Sequence, residues 1–315
     1  MRPWWPVLLC LTLLSAAPAP PPARPTTGLP GPLTRDPARP LLEPRGDGWE
    51  GLAVFNPAVI YDGKDYVLLY RAQDRRGVSR LGLARSTDGV TFTRDDRPVF
   101  EPATPEEAGG VEDPRLVRVG DTYYLTYTAF DGRSTARLNM ATSADLKTWT
   151  RHGSLFQSGW SKAGAMLDRP VNGLNFMYFG DKEIRLATSP DRNSWTPEDT
   201  PVLRPRPGTW DEGGVEPGPP PILTERGILL IYNGRDRNNV YAVGAALFDR
   251  FDPGVLLARS EQPILTVQTA WEKTGTVPNV VFAEGLVIRG GRMEIYYGGG
   301  DRVVGRAVVD WPNRR

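Results

Sequence analysis

The sequence predicts an all-β protein, a five-bladed β-propeller, from three observations. Five short segments share one pattern, in which a polar turn precedes a hydrophobic strand that ends in tyrosine. The tyrosines lie 57, 51, 54 and 65 residues apart, a period typical of propeller blades. A seven-residue word recurs beside three of these strands, and no segment has a sustained amphipathic helical period. The five segments are YVLLY (66–70), YYLTY (123–127), LNFMY (174–178), ILLIY (228–232) and MEIYY (293–297).

The seven-residue word predicts an outer turn in three of the blades. It occurs at Ser86–Phe92, Ser143–Trp149 and Ser189–Trp195, each time with Asp in third place. Ser and Asp side chains close such turns, while the aromatic residue packs on the next strand. We therefore expect the aspartates of this word to be structural.

One upstream strand in each blade is expected to be the innermost and to border the axial channel. The predicted inner strands are 55–60, 111–116, 162–166, 219–223 and 278–282. Polar residues stand near the starts of these strands: Asn56, Glu112, Asp113, Lys162, Glu216 and Asn279. Because five strand starts converge on one end of a propeller channel, we expect these side chains to meet there.

The N-terminal residues have the pattern of an exported protein. Residues 1–19 predict a signal peptide, with Arg2, an apolar stretch at 4–17 and small residues after it. That stretch is shorter than the ~20 apolar residues of a membrane span. Residues 18–40 contain nine prolines, so 20–45 predict an extended linker before a propeller at 46–315. We expect a secreted or periplasmic protein without a membrane anchor.

Composition excludes several kinds of site. The 38 basic and 37 acidic residues are dispersed, which does not favour a nucleic-acid surface. His152 is the only histidine and Cys10 the only cysteine, so Ser-His-Asp catalysis, Cys-His catalysis and poly-His metal sites are excluded. We predict no metal and no cofactor. Proton chemistry would then fall to carboxylates.

Four motifs resemble glycoside hydrolase family 130, which comprises β-mannoside phosphorylases and β-mannosidases on a five-bladed propeller. The motifs are Gly110-Val-Glu-Asp-Pro-Arg115, Leu69-Tyr-Arg-Ala72 after Asn56-Pro-Ala58, Asn279-Val-Val-Phe282 and Tyr296-Tyr-Gly-Gly-Gly-Asp301. The resemblance spans roughly residues 50 to 310 and draws on all five blades. An oligosaccharide or glycan is therefore the expected partner.

The resemblance implies roles for single residues. Asp113 corresponds to the general acid of the family, and Glu112 beside it should point the other way, as neighbours on a strand do. Asn56, Arg71 and Asp301 would hold the mannosyl unit in the −1 subsite, unless Arg71 and Asp301 are only a buried ion pair between blades.

The choice between phosphorolysis and hydrolysis depends on a few positions. Family phosphorylases bind phosphate with Arg, Lys and a His in a Tyr-His-Gly word. Here Lys162 matches the Lys, but Asn233 replaces the His in Tyr232-Asn-Gly234. We also expect Asn233 and Asn279 to contact substrate. Arg151, with other arginines, is a further possible phosphate ligand.

Two glutamates favour hydrolysis. Glu216 and Glu284 stand where the family's hydrolases carry a Glu, and inverting glycosidases need a base about 6.5–9.5 Å from the acid. The sequence therefore favours a secreted, inverting β-mannosidase with Asp113 as acid and Glu216 as base, and Glu284 as the alternative base. A phosphorylase that releases mannose 1-phosphate and a non-catalytic glycan-binding propeller remain open alternatives.

Two tryptophans leave their role open. Trp210 and Trp271 stand in Gly- and Pro-rich loops before predicted inner strands. Each could stack on a sugar ring or pack against the protein.

Overall fold

The computed structural model describes residue 1, residues 28–157 and residues 159–311. In these ranges the chain forms 21 strands, one 3₁₀ turn and one four-residue α-helix, so the all-β prediction is confirmed. The predicted signal peptide, apart from Met1, lies outside the described residues. No helix within them is long and apolar enough to cross a membrane.

The strands form five antiparallel units in chain order, each built around one tyrosine-ended segment. Strand β1 (Thr34–Arg35) precedes them. Unit 1 contains β2 (Ala53–Tyr61), β3 (Tyr66–Gln73), β4 (Ser79–Ser86) and β5 (Thr93–Arg94). Unit 2 follows the 3₁₀ turn at Pro105–Glu107 and contains β6 (Gly110–Val119), β7 (Thr122–Phe130), β8 (Ala136–Ser143) and β9 (Thr150–Ser154). Unit 3 contains β10 (Ala165–Met166), β11 (Asn175–Phe179), β12 (Arg185–Ser189) and β13 (Thr196–Pro197).

Units 4 and 5 complete the order. Unit 4 contains β14 (Gly214–Pro217), β15 (Ile222–Thr224), β16 (Gly227–Arg235), β17 (Tyr241–Phe248) and β18 (Leu256–Arg259). Unit 5 follows helix α1 (Ala270–Lys273) and contains β19 (Val281–Arg289), β20 (Arg292–Gly299) and β21 (Val303–Asp310). Strand β1 pairs with β21, so that an N-terminal segment supplies the fourth strand of unit 5.

The hydrophobic core lies between the units. Each of five buried clusters contains side chains from two units that follow one another in the chain, or from units 5 and 1. In the last case Val287 and Tyr296 of unit 5 are in one cluster with Val54 and Leu68 of unit 1. The first and last units of the chain are therefore packed against each other.

Three predicted inner strands need correction. Strands β2 and β6 lie where they were expected, but only Ala165–Met166 of the third segment is a strand, and β19 begins at Val281. In unit 4 the inner strand is split into β14 and β15, with prolines 219–221 between them. Proline has no N–H to donate to a neighbouring strand, which explains the break.

The predicted linker is also shorter than expected. Leu29 and Leu33 are buried against Ile264 and Leu265 in the core shared by units 4 and 5. The prolines keep this segment extended, a conformation that suits an edge strand, and its leucines supply apolar surface. Residues 28–45 therefore belong to the folded domain rather than to a linker.

Four of the five units contain a buried clasp, in which the strand-ending tyrosine donates its hydroxyl proton to a carboxylate that is paired with an arginine. The carboxylate precedes the inner strand, and the arginine comes from the outermost strand. The clasps of units 1, 2, 4 and 5 are Tyr70–Glu50–Arg94, Tyr127–Glu107–Arg151, Tyr232–Asp211–Arg259 and Tyr297–Glu272–Arg35. In unit 3 the hydroxyl of Tyr178 donates to the carbonyl of Pro253 instead.

Two tryptophans pack against the tyrosines of the clasps. Trp210 stacks on Tyr232 with ring centroids 5.6 Å apart, and Trp271 stacks on Tyr297 at 5.7 Å. Both indoles therefore pack within their units, and neither is a sugar platform. Arg151, a possible phosphate ligand from the sequence, is bound to Glu107 in its clasp.

The seven-residue word forms the predicted turns. In the first copy Asp88 Oδ1 accepts the backbone N–H groups of Val90 and Thr91 at 2.8 and 2.7 Å. Asp145 and Asp191 accept the corresponding pairs in the other two copies. These aspartates are structural, as expected.

Candidate active site

Two polar residues predicted for the site lie on backbone bulges. Asn56 and Asp113 have φ angles of +45° and +51°, where the pairing of β2 with β3 and of β6 with β7 shifts register. Asn and Asp tolerate this left-handed region better than most residues, but both precede proline, which disfavours it further. Backbone strain of this kind is concentrated at functional sites.

Asp113 is held by three polar side chains. Its Oδ1 accepts hydrogen bonds from Asn56 Nδ2 at 2.9 Å and from Arg71 Nη1 at 2.8 Å. Lys162 Nζ lies 3.6 Å from Oδ2. Burial alone would raise the pKa of Asp113, but Arg71, Lys162 and the Asn56 hydrogen bond hold it well below its usual range. Asp113 is therefore ionised at neutral pH.

Arg71 binds two neighbouring carboxylates. Besides Asp113, its Nη2 donates to Glu112 Oε1 at 2.6 Å, and its guanidinium lies 4.7 Å from the centre of the Phe55 ring. Glu112 was expected to point away from Asp113, and the bulge is the reason that it does not, since it interrupts the alternation of the strand. Burial and the adjacent Asp113 raise the pKa of Glu112. The positive charge of Arg71 is thus largely neutralised within the site.

Asp301 belongs to the same cluster of charges. It follows β20 with φ +47°, and burial raises its pKa to about 6 against the opposing effect of Arg71 and Lys162. Asn279 also has a positive φ, of 62°, and its carbonyl accepts the backbone N–H of Tyr241 at 3.0 Å. Among the described residues, its side chain has no hydrogen bond to the other predicted site residues. The hydrogen bonds of the described residues therefore do not connect the Asn279 side chain to this cluster of charges.

Glu216 brings a second buried carboxyl group from unit 4. Its side chain, on β14, is only 11% exposed, and burial raises its pKa to about 7 although Lys162 and Arg115 oppose the rise. Glu216 Oε1 lies 3.9 Å from Arg115 Nη2. At neutral pH this group is therefore divided between the neutral and the ionised form.

Arg115 connects the strands that carry Asp113 and Glu216. Its guanidinium is buried and donates to the carbonyls of Asp113 at 3.1 Å, Pro217 at 2.7 Å and Gly218 at 2.9 Å. These bonds fix the Asp113 bulge to the residues that follow Glu216. The separation of the two carboxyl groups is thus set by a third side chain.

Two predicted site residues are fully buried. Glu284 is 0% exposed and lies 3.1 Å from Arg115, and burial raises its pKa well above the usual range. Asn233 is 1% exposed, and its amide is bonded to both the N–H and the carbonyl of Ala283. A sealed carboxyl cannot activate a water in the cleft, and an amide with both partners inside the protein is not free for substrate. Of the two candidate bases, Glu216 is the one that retains some exposure to solvent.

Comparison with known proteins identifies the family. Residues 44–313 match the sequence profile of glycoside hydrolase family 130, which is described as beta-1,4-mannooligosaccharide phosphorylase. The chain belongs to this family. It is 40% identical over 283 residues to the 1,2-beta-oligomannan phosphorylase of Thermoanaerobacter sp. (strain X514), covering 86% of this chain and 95% of that protein. It is 39% identical to a beta-1,2-mannobiose phosphorylase of the same organism, covering 88% and 97%.

Solved structures of family 130 have the same fold. One comes from work on family members that are glycoside hydrolases targeting beta-1,2 mannosidic linkages in Candida mannan; it is 34% identical with a TM-score of 0.85, over 93% of this chain and 98% of that one. Another is the beta-1,2-mannobiose phosphorylase of Listeria innocua in complex with beta-1,2-mannobiose, 27% identical with a TM-score of 0.81, over 88% and 96%. Similar structures in family 130 thus include both a phosphorylase and a hydrolase.

The family 130 site contains residues that sequence reasoning missed. Arg115 is the last residue of the Glu-Asp-Pro-Arg word, so its place in a motif was the available signal. Tyr241 is half-buried near Glu216 and Asp301, both of which raise the pKa of its hydroxyl in addition to the larger effect of burial. No pattern in the sequence distinguishes Tyr241 from other tyrosines that begin a strand.

Proposed function

We propose that this chain is a phosphorylase that cleaves β-1,2-linked mannosides with inorganic phosphate. The observation that carries the proposal is the near-full-length match to two phosphorylases, at 40% and 39% identity, both named for β-1,2-linked substrates. The proposal replaces the hydrolase favoured by the sequence as the first candidate. It keeps Asp113 at the centre of the chemistry.

We also propose that the five units are the blades of a propeller around this site. Each unit packs against the next, and unit 5 packs against unit 1, as a closed ring requires. Units 1, 2, 4 and 5 and the segment before β10 all contribute polar side chains to one cluster of charges. This arrangement supports an axial active site.

The charges of the site suit a reaction that begins when an anion binds. Arg71 is shared between Asp113 and Glu112, while Lys162 Nζ lies 3.6 Å from Asp113 Oδ2. A phosphate that binds Lys162 would compete with Asp113 for its charge. The pKa of Asp113 would then rise, both because Lys162 is shared and because a second negative charge is close. Asp113 would take up a proton when phosphate arrives, which it could pass towards the glycosidic oxygen while phosphate attacks C1.

Glu216 does not exclude phosphate from this site. A carboxylate beside a phosphate dianion would repel it, but burial raises the pKa of Glu216 to about 7. In the neutral form Glu216 can donate a hydrogen bond to a phosphate oxygen. The site can therefore hold an anion at neutral and mildly acidic pH.

Hydrolysis is the second candidate, and Glu216 is the observation that favours it. Ionised above its pKa, this buried carboxylate could orient and deprotonate a water, the base of an inverting mechanism. The predicted signal peptide also agrees better with hydrolysis, since phosphate and sugar phosphates are used mainly in the cytoplasm. Export and secretion remain predictions.

One assay separates the two candidates. The purified chain is incubated with β-1,2-mannobiose, with β-1,4-mannobiose and with the corresponding trisaccharides, each with and without inorganic phosphate, and products are followed by proton and phosphorus NMR. We expect mannose 1-phosphate to accumulate from the β-1,2-linked substrates at a rate that rises with phosphate. Release of free α-mannose at a rate indifferent to phosphate would refute phosphorolysis and establish the inverting hydrolase.

A further inference from the structure

One tryptophan near the site has no packing role that would explain it. Trp160 is 55% exposed, although a large aromatic side chain is usually covered by protein. Its indole N–H donates to Asp181 Oδ2 at 2.5 Å, so the ring is held at the surface by a hydrogen bond. Among the described residues it stacks on no other aromatic ring, unlike Trp210 and Trp271.

The backbone on the C-terminal side of Trp160 is firmly anchored. Ser161 is buried, and its N–H donates to the carbonyl of Ala136 at 3.2 Å while its Oγ accepts the N–H of Leu138 at 3.0 Å. The carbonyl of Lys162 accepts the N–H of Gly180 at 3.0 Å. Trp160 therefore stands two residues from the Lys162 ammonium in a segment with a defined position.

The partner of the indole leads to the other side of the site. Asp181 begins the turn between β11 and β12, and the next carbonyl, of Lys182, accepts the N–H of Val215 at 3.0 Å. Val215 directly precedes Glu216. Trp160 is thus linked to Lys162 along the backbone. It is linked to the strand of Glu216 through Asp181 and the hydrogen bond between Lys182 and Val215. Trp160 lies on the surface in the segment that joins units 2 and 3, and the charge of its partner Asp181 is close enough to Glu216 to help raise the pKa of that group.

We propose that Trp160 is a stacking platform for a pyranose ring of the substrate chain beyond the two subsites on either side of the bond that breaks. This inference deepens the proposed function and rests on it. The C–H face of a sugar ring is apolar, and an exposed aromatic face beside a polar cleft is suited to cover it. Asp181 is the positioning residue, because its hydrogen bond fixes the direction in which the indole faces.

The inference predicts an effect that grows with chain length. A β-1,2-mannobiose already fills the subsites on either side of the bond that breaks, so a ring on Trp160 belongs to a longer chain. Aromatic stacking contributes about 3- to 10-fold in binding. Trp160→Ala should therefore raise KM for β-1,2-mannotriose and mannotetraose by about that factor, with kcat and the KM for mannobiose changed less than about twofold. Trp160→Phe, which keeps an aromatic face but loses the hydrogen bond to Asp181, should recover part of the loss.

The control is an exposed aromatic residue that lies far from the site. Phe251 is 64% exposed in the β17–β18 connection, at the opposite end of β17 from Tyr241. Phe251→Ala should leave KM unchanged for every chain length. Equal KM values for Trp160→Ala and wild type on all substrates would overturn the inference, and so would an equal rise for mannobiose and mannotetraose.

A binding measurement makes the test independent of turnover. In the Asp113→Asn background, titration with β-1,2-mannotetraose should change the tryptophan fluorescence, and the change should be lost in the double variant with Trp160→Phe. A fluorescence change that persists in the double variant would refute the platform. If the wild-type chain turns over no β-mannoside at all, the proposed function fails; if it turns over mannotetraose but Trp160→Ala has no effect, only this inference fails.

Discussion

Glu272 and Glu216 are both buried glutamates, yet the protein surrounds them in opposite ways. Glu272, in the clasp of unit 5, accepts two hydrogen bonds from Arg35, one from the Tyr297 hydroxyl and two from backbone N–H groups. Glu216, in the site, has an Oε1 without any hydrogen-bond partner among the described residues, and its nearest cation there is 3.9 Å or more away at Arg115.

The pKa values of these two glutamates depend on their hydrogen-bonding and charged partners more than on their burial. Burial would raise the pKa of Glu272, but Arg35 and the backbone donors lower it below the usual range, whereas burial prevails for Glu216 and raises its pKa to about 7. A carboxylate with a complete set of partners stabilises the fold. One with unused hydrogen-bonding capacity costs stability and is available for chemistry. Glu284 also has oxygens without a hydrogen-bond partner among the described residues, but it is fully buried, whereas the side chain of Glu216 is 11% exposed.

The largest expected effect comes from the site. Asp113→Asn removes the proposed general acid but keeps its shape, so turnover should fall by about 10²- to 10⁴-fold. Initial rates of mannose 1-phosphate release from β-1,2-mannobiose measure the loss, and circular dichroism checks that the fold is kept. Asp145→Asn is the matched control: it alters an aspartate of an outer turn, so the rate should stay near wild type. More than a tenth of the wild-type rate in Asp113→Asn would show that Asp113 is not the acid.

Local sequence was sufficient to locate Asp113 and the strands around it. The alternation of apolar residues and the tyrosine at the end of each segment are local signals, and β3, β7, β16 and β20 each contain the whole predicted segment. The direction in which each polar side chain of the site points was harder to predict from the sequence. Glu112, Asn233 and Glu284 are polar residues near inner strands, and only the bulges and the packing decide which of them faces the cleft.

The clasps could not be predicted from local sequence, because their members are far apart in the chain. Arg35 and Glu272 are 237 residues apart, and nothing near Arg35 indicates its partner. A repeated signal did exist: an acidic residue follows Trp49, Trp210 and Trp271 directly, ahead of three inner strands. The common role of these tryptophan–acid pairs becomes clear only from the structure, in which each tryptophan stacks on the tyrosine of a clasp.

The second prediction tests the structural side of the comparison. Glu272→Gln leaves the Arg35 guanidinium, which is almost fully buried, without its counter-charge, and breaking a buried pair in this way costs about 3–5 kcal/mol of unfolding free energy. Unit 3 supplies the contrast, since Tyr178→Phe removes one neutral hydrogen bond to Pro253, worth about 1 kcal/mol. Urea unfolding measures both. Equal losses in the two variants would mean that the clasp is no stronger than a single hydrogen bond.

The smallest expected effect is a pH dependence of the unfolding free energy, which follows from the raised pKa of Glu216. The pKa of Glu216 is about 7 in the folded chain against 4.5 for an ordinary Glu, so the folded state keeps this proton to higher pH than the unfolded state does. The stabilisation it contributes is complete below pH 4.5 and is lost as the pH rises through 7. Asp301, with a pKa raised to about 6, acts in the same direction. A rise of the Glu216 pKa from 4.5 to about 7 makes this loss on the order of 3 kcal/mol, at about 1.4 kcal/mol for each pKa unit.

Glu216→Gln isolates the contribution of this one group, because an amide resembles the neutral acid and does not titrate. The difference in unfolding free energy between variant and wild type, measured in urea at pH 5, 6, 7 and 8, should move in favour of the variant as the pH rises. Glu261→Gln, an exposed substitution, should give a difference that does not change with pH. A flat difference for Glu216→Gln would mean that Glu216 titrates like an ordinary glutamate. In that case its negative charge would already be present at neutral pH and would repel phosphate, which would weaken the proposed phosphorolysis and favour hydrolysis.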